Sequence, residues 1–155
     1  MKAFTQVALV MSLSLAAAAS MAGEISNSTV DASGSRNVAG SDRSQAYQYI
    51  GSTYGSGKIT NSRIFARGAA NSANSRGGTA SQEIGVAGAG GTMDRVTVLA
   101  DRANNGANAS GAWATQEIGK VSNGKMSNVT VVANDAFNLA KSDGSIAKQK
   151  IGVVN

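Results

Sequence analysis

The chain has 155 residues, a net charge of +5, and no cysteine, proline or histidine. That combination removes disulfide staples, zinc ligation by thiolate or imidazole, and histidine general-base chemistry. The 14 Lys and Arg residues are scattered without a run, so the positive balance reads as solubilising surface charge, with no specific nucleic-acid partner.

In chain order, residues 1–22 come first and have the form of a signal peptide. Lys2 supplies a positive start, Val7–Ala19 an apolar stretch, and Ser20-Met21-Ala22 a small-x-small cleavage site. The apolar stretch is too short for a membrane span, and an uncleaved N-terminal anchor is the weaker alternative. The expectation is a secreted, extracellular or cell-surface protein with no membrane span.

From Gly23 onward one unit is written four times, about 34 residues each, a period that points to a solenoid or stacked array. The copies run over about 23–56, 57–90, 91–123 and 124–155, forming one β-repeat domain. Gln48, Gln82, Gln116 and Gln149 align, as do Ile50, Ile84, Ile118 and Ile151, each isoleucine followed by glycine. Asn37, Asn71, Asn105 and Asn138 form another column, with Ala39, Ala73, Ala107 and Ala140 two residues later.

Within a copy the hydrophobic period is two. In Gly124–Asn155, Val129, Val131 and Ala133 alternate with other residues, then Ala136, Asn138 and Ala140, then Ala147, Gln149 and Ile151. Alternation of this kind predicts strands, and Gly111, Gly144 and Asn123-Gly124 mark turns between them. The predicted fold is all-β, a β-solenoid of stacked cross-β coils with about three short strands per repeat. The fixed columns point inward and form a thin, alanine-rich core. Whether a coil closes as a triangle or a Greek-key layer is left open.

An isolated buried amide is costly. In-register stacking at about 4.8 Å removes that cost, because each side-chain amide bonds to the copies on either side. The Asn and Gln columns, together with the Ile column, are therefore the candidate self-assembly ladder. The first copy, from Gly23, matches the second column for column over Gly57–Ala66, and neither end shows a distinct cap. Monomeric solenoids end in atypical caps, whereas uncapped strand edges template further pairing.

With these features the chain resembles the bacterial functional-amyloid subunits, the curli and Fap-type biofilm amyloids. The shared traits are a signal segment, absence of proline, Gly/Ala/Asn/Ser richness, and imperfect repeats with fixed Gln and Asn. Asn128–Ala140 is similar in rhythm to a curlin repeat, although Ala133 stands where curlin repeats carry Gln. The period lies closer to Fap repeats, but the long linkers and C-terminal Cys pair of Fap major subunits are missing. The resemblance implies a secreted fibre subunit of a biofilm matrix, more like a minor or nucleating subunit. Its implied partners are copies of itself, a homologous major or minor subunit, a secretion pore and periplasmic chaperones.

No catalytic, cofactor or metal residues are expected. Glu83 and Glu117 share a column with Tyr49 and Lys150, and are expected to be solvated repeat positions rather than an acid–base pair. Gly55-Ser-Gly-Lys58 lacks the spacing of a phosphate loop. The alternative to a fibre subunit is a monomeric β-solenoid serving as an adhesin or surface-binding module.

Overall fold

A computed structural model describes residues 23–154; the signal-peptide expectation lies outside the described residues. Every strand comes back to its counterpart in the next repeat, and the chain is an all-β solenoid of about four turns, spaced by about 34 residues. The first coil holds β1 (Glu24–Ser26), β2 (Thr29–Asp31), β3 (Arg36–Ala39) and β4 (Gln45–Ile50). The second holds β5 (Lys58–Thr60), β6 (Arg63–Arg67), β7 (Ala70–Ala73) and β8 (Thr79–Ile84). The third holds β9 (Thr92–Asp94), β10 (Thr97–Asp101), β11 (Asn104–Ala107) and β12 (Trp113–Ile118). The fourth holds β13 (Lys125–Ser127), β14 (Thr130–Asn134), β15 (Phe137–Ala140) and β16 (Ile146–Ile151).

Equivalent strands pair in parallel and in register, giving four four-stranded sheets. Their orders are β1-β5-β9-β13, β2-β6-β10-β14, β3-β7-β11-β15 and β4-β8-β12-β16. The registers fix the columns residue by residue: Gln48 pairs Gln82, Gln82 pairs Gln116, and Gln116 pairs Gln149. A further column of isolated bridges joins Thr53, Ala87, Val121 and Val154.

Each coil therefore has four strands, not the three expected. The extra ones, β1, β5, β9 and β13, are three residues long and turn a single side chain inward: Ile25, Ile59, Met93 and Met126. One inward residue between two outward ones is too little alternation to signal a strand.

The core also differs from the thin alanine layer expected, and has two parts. Between the third and fourth sheets it is thin, built of Ala39, Ala46, Ala73 and Ala80, then Ala107, Ala112 and Ala114. Elsewhere it is broad, with Ile59, Ile64, Ile84, Met93, Val98, Ile118 and Val121 fully buried. The short strands add Ile59 and Met93 to bulk supplied by Ile64 and Val98 of the second sheet and by Ile84 and Ile118 of the fourth.

Corners are made by residues in the left-handed region. Asn27, Asn61, Arg95 and Asn128 turn the chain between the first two sheets, with φ of 50°, 47°, 54° and 52°. After each fourth-sheet strand the turn falls on Gly51, Gly85, Gly119 or Gly152. Space as well as φ demands glycine at Gly85: an added Cβ would lie 2.7 Å from Val98 Cγ2.

Candidate functional site

The glutamine column runs unbroken through all four coils. Gln82 Nε2 donates to Gln48 Oε1 at 2.5 Å, Gln116 Nε2 to Gln82 Oε1 at 2.7 Å, and Gln149 Nε2 to Gln116 Oε1 at 2.5 Å. The second hydrogen on the Gln82, Gln116 and Gln149 nitrogens is used as well. Gln82, Gln116 and Gln149 donate to the carbonyls of Ala69, Ala103 and Ala136 at 3.3, 3.0 and 3.1 Å, and Gln48 donates to Ser35 Oγ at 3.0 Å. These contacts pin which end of every amide is nitrogen, so the column has a direction: every donor points toward the N-terminal coil.

The asparagine column runs the other way. Asn71 Nδ2 donates to Asn105 Oδ1 at 3.0 Å and Asn105 Nδ2 to Asn138 Oδ1 at 2.9 Å, toward the C-terminal coil. These nitrogens also reach strand carbonyls of the facing sheet: Asn71 to Ala46 at 3.1 Å, Asn105 to Thr115 at 2.9 Å and Asn138 to Ala114 at 3.3 Å. The first rung is missing. Asn37 Nδ2 donates to the Tyr47 carbonyl at 2.8 Å, and Asn71 Oδ1 is buried with no hydrogen-bond partner.

Gln82, Gln116, Asn71 and Asn105 are buried in the middle coils. Their amides are satisfied almost entirely by each other and by backbone, as buried polar groups must be. The Ile column is buried at Ile50, Ile84 and Ile118 but surfaces at Ile151, which is 41% exposed.

The last coil is open. All six residues of β16 are exposed, including the inward Ala147, Gln149 and Ile151, whereas Ala46, Gln48 and Ile50 of the first coil are buried. An interior strand divides its peptide groups between two neighbours, so a terminal strand keeps half of them unpaired. Exposed large apolar side chains lie mostly in the end coils, Val38 and Tyr47 in the first and Phe137, Leu139 and Ile146 in the last, with Trp113 in the third.

The carboxylate column is not the solvated position expected. Glu117 is only 14% exposed and is held by Lys120 Nζ at 2.8 Å, with Lys150 Nζ at 3.9 Å. Directly beside it in the register, Glu83 receives no such cation. Burial pushes the Glu83 carboxyl up to about 7, the Glu117 charge adds to the rise, and Lys120 opposes it. The cover comes from the segments after the glycine corners: Lys120 reaches back over the sheet, and Tyr54 packs edge-on against Tyr49, the neighbour of Glu83 in the column. The sequence signals for this were Tyr54 and Lys120, each close behind its Ile-Gly pair.

Among the described residues no group of three or more His, Cys, Asp or Glu is placed to hold a metal ion. The corner groove lined by Asn27, Asn61, Arg63 and Arg95 is polar and open to solvent. No helix among the described residues is long and apolar enough to cross a membrane. Comparison with protein-family models, curated proteins and solved structures returned no match in any of the three.

Proposed function

We propose that the protein is a secreted structural subunit that polymerises by stacking solenoids end to end into amyloid-like extracellular fibres of a biofilm matrix. The observation that carries this reading is the open last coil. Gln149, Ala147 and Ile151 occupy the columns that are buried in every earlier coil, yet here they face solvent. Another coil of the same sequence pattern would cover them, accept the free peptide groups, and extend both amide columns by one rung.

The mechanism is strand addition at a templating edge. A folded coil offers a row of unpaired N–H and C=O groups, and an incoming chain zips onto it. A contact of this kind does not close on itself, so it produces a filament. The curli and Fap-type amyloids provide the analogy for export through a pore with chaperones, and for a minor or nucleating rank beside a homologous major subunit.

The test is dilution of the purified protein from denaturant, followed by thioflavin fluorescence and electron microscopy. The expected result is fibres that appear after a lag, with the lag abolished by preformed seeds. A clear solution of folded monomer after days would instead move the weight to a monomeric adhesin or surface-binding module.

A further inference from the structure

In two outward columns of the third sheet and one of the first, the end coils differ from the middle coils, and they differ in a matched way. Along the column Arg36, Ala70, Asn104, Phe137, the middle members are small or polar and the outer two are a cation and an aromatic ring. Along Val38, Ser72, Gly106, Leu139, the middle members are small and the outer two are apolar. Val38, Phe137 and Leu139 are 43%, 60% and 45% exposed. The column Glu24, Lys58, Thr92, Lys125 ends in opposite charges. Within one chain the members of each outer pair are three coils apart, and nothing in the fold calls for their chemistry to agree.

They agree if the column continues into a second copy. We infer that the last coil of one copy docks in register on the first coil of the next, with Leu139 against Val38, Phe137 against Arg36, and Lys125 against Glu24. The inference rests on the polymer reading and adds the joint: a single polar, head-to-tail junction with a fixed register. Apolar, cation–aromatic and opposite-charge neighbours are the favourable pairs between adjacent strands. The chain already places cations over rings, with Lys148 5.4 Å from the Trp113 ring centroid of the coil below and Arg67 4.9 Å from that of Phe65.

The amide columns select the same polarity. The last coil presents Gln149 Oε1 as an acceptor and Asn138 Nδ2 as a donor, because Gln116 and Asn105 use their opposite ends. The first coil holds the converse, Gln48 Nε2 and Asn37 Oδ1, with Gln48 buried and one of its hydrogens already given to Ser35. Stacking two first coils or two last coils would set like against like in both columns. One corner column opposes the joint, since Asp42 would lie near Asp143, with the Arg43 guanidinium alongside.

The absence of cysteine makes the test clean. Val38→Cys and Leu139→Cys are introduced together and separately, fibres are grown, and the product is oxidised and dissolved in denaturant without reductant. In one chain the two sites are three coil spacings apart, about 14 Å, beyond the reach of a disulfide. The expected result is a ladder of disulfide-linked multimers from the double variant and monomer from each single variant. Fibres with no ladder, or dimers from Val38→Cys alone, would overturn the junction while leaving polymerisation standing. Failure of the parent protein to form fibres would remove both.

A second pair guards against misfolded cysteine variants. Lys125→Glu, whose neighbour within the chain is Thr92, should slow seeded growth about two- to fivefold, and adding Glu24→Gln should relieve most of that loss. A double variant as slow as the single one would count against the joint.

Discussion

Replacing Gln116 by glutamate keeps the shape of the side chain and removes only its donor. Gln116 is fully buried; its nitrogen donates to Gln82 Oε1 at 2.7 Å and to the Ala103 carbonyl at 3.0 Å, while its oxygen accepts from Gln149. A carboxylate would face two acceptors with no proton to offer. A neutral carboxylic acid can serve one of them, so the folded state holds the proton and the folded pKa rises above the unfolded value of about 4.3. A raised folded pKa means stability that is complete at low pH and lost as pH rises toward the folded value. At pH 4 the variant should be less stable than the parent by about 1 kcal/mol, the cost of one lost hydrogen bond. With the proton retained to pH 7, each unit above 4.3 removes about 1.4 kcal/mol, so the deficit grows to about 4–5 kcal/mol. Urea unfolding followed by far-UV circular dichroism at both pH values measures the gap between variant and parent. A gap of the same size at pH 4 and pH 7 would refute a buried, donor-dependent glutamine column.

The parent has a pH dependence of its own. Glu83, pushed up to about 7 from its ordinary 4.5, should cost stability as pH rises between those values. Glu83→Gln should remove that slope and gain about 1 kcal/mol at pH 8, a figure reduced for its partial exposure; a parent melting temperature flat from pH 5 to 8 would contradict it. Glycine corners should separate by their surroundings. Gly34→Ala, at φ +69° with nothing near an added Cβ, should cost about 1–2 kcal/mol. Gly85→Ala, which also meets Val98, should cost more in the same urea titration, and equal costs would show that the corner relaxes freely. Asn37→Ala should disturb the fold less than Asn105→Ala, since Asn37 donates only to Tyr47 whereas Asn105 is buried and joined to both neighbouring rungs. Hydrogen exchange of the third-sheet amides distinguishes the two.

The stacking was legible because it is written in columns. Gln48, Gln82, Gln116 and Gln149 sit at equal spacing between apolar residues, and only an inward, laddered position makes such amides affordable. What the pattern hid was anything set by one residue or by folding back. Ile25, Ile59, Met93 and Met126 are lone inward side chains, so their strands, and the bulk they add to the broad half of the core, left no periodic trace. Glu83 alternates as an outward residue should, but it lies beside Tyr49 and under Tyr54 and Lys120, and the return of the last two over the sheet depends on the geometry of the glycine corner. The missing rung at Asn37 has no sequence mark at all. The matched chemistry of Arg36 with Phe137 and Val38 with Leu139 is visible only once the register is known.

The mass per unit length of single protofilaments, measured by dark-field electron microscopy, separates stacked solenoids from chains laid flat. Four coils at about 4.8 Å each set one chain for every 19 Å or so of fibre axis. That value is expected for fibres of the purified protein. One chain per roughly 4.8 Å would mean that the chains unfold and stack flat on one another, and that the solenoid is not the unit from which the fibre is built.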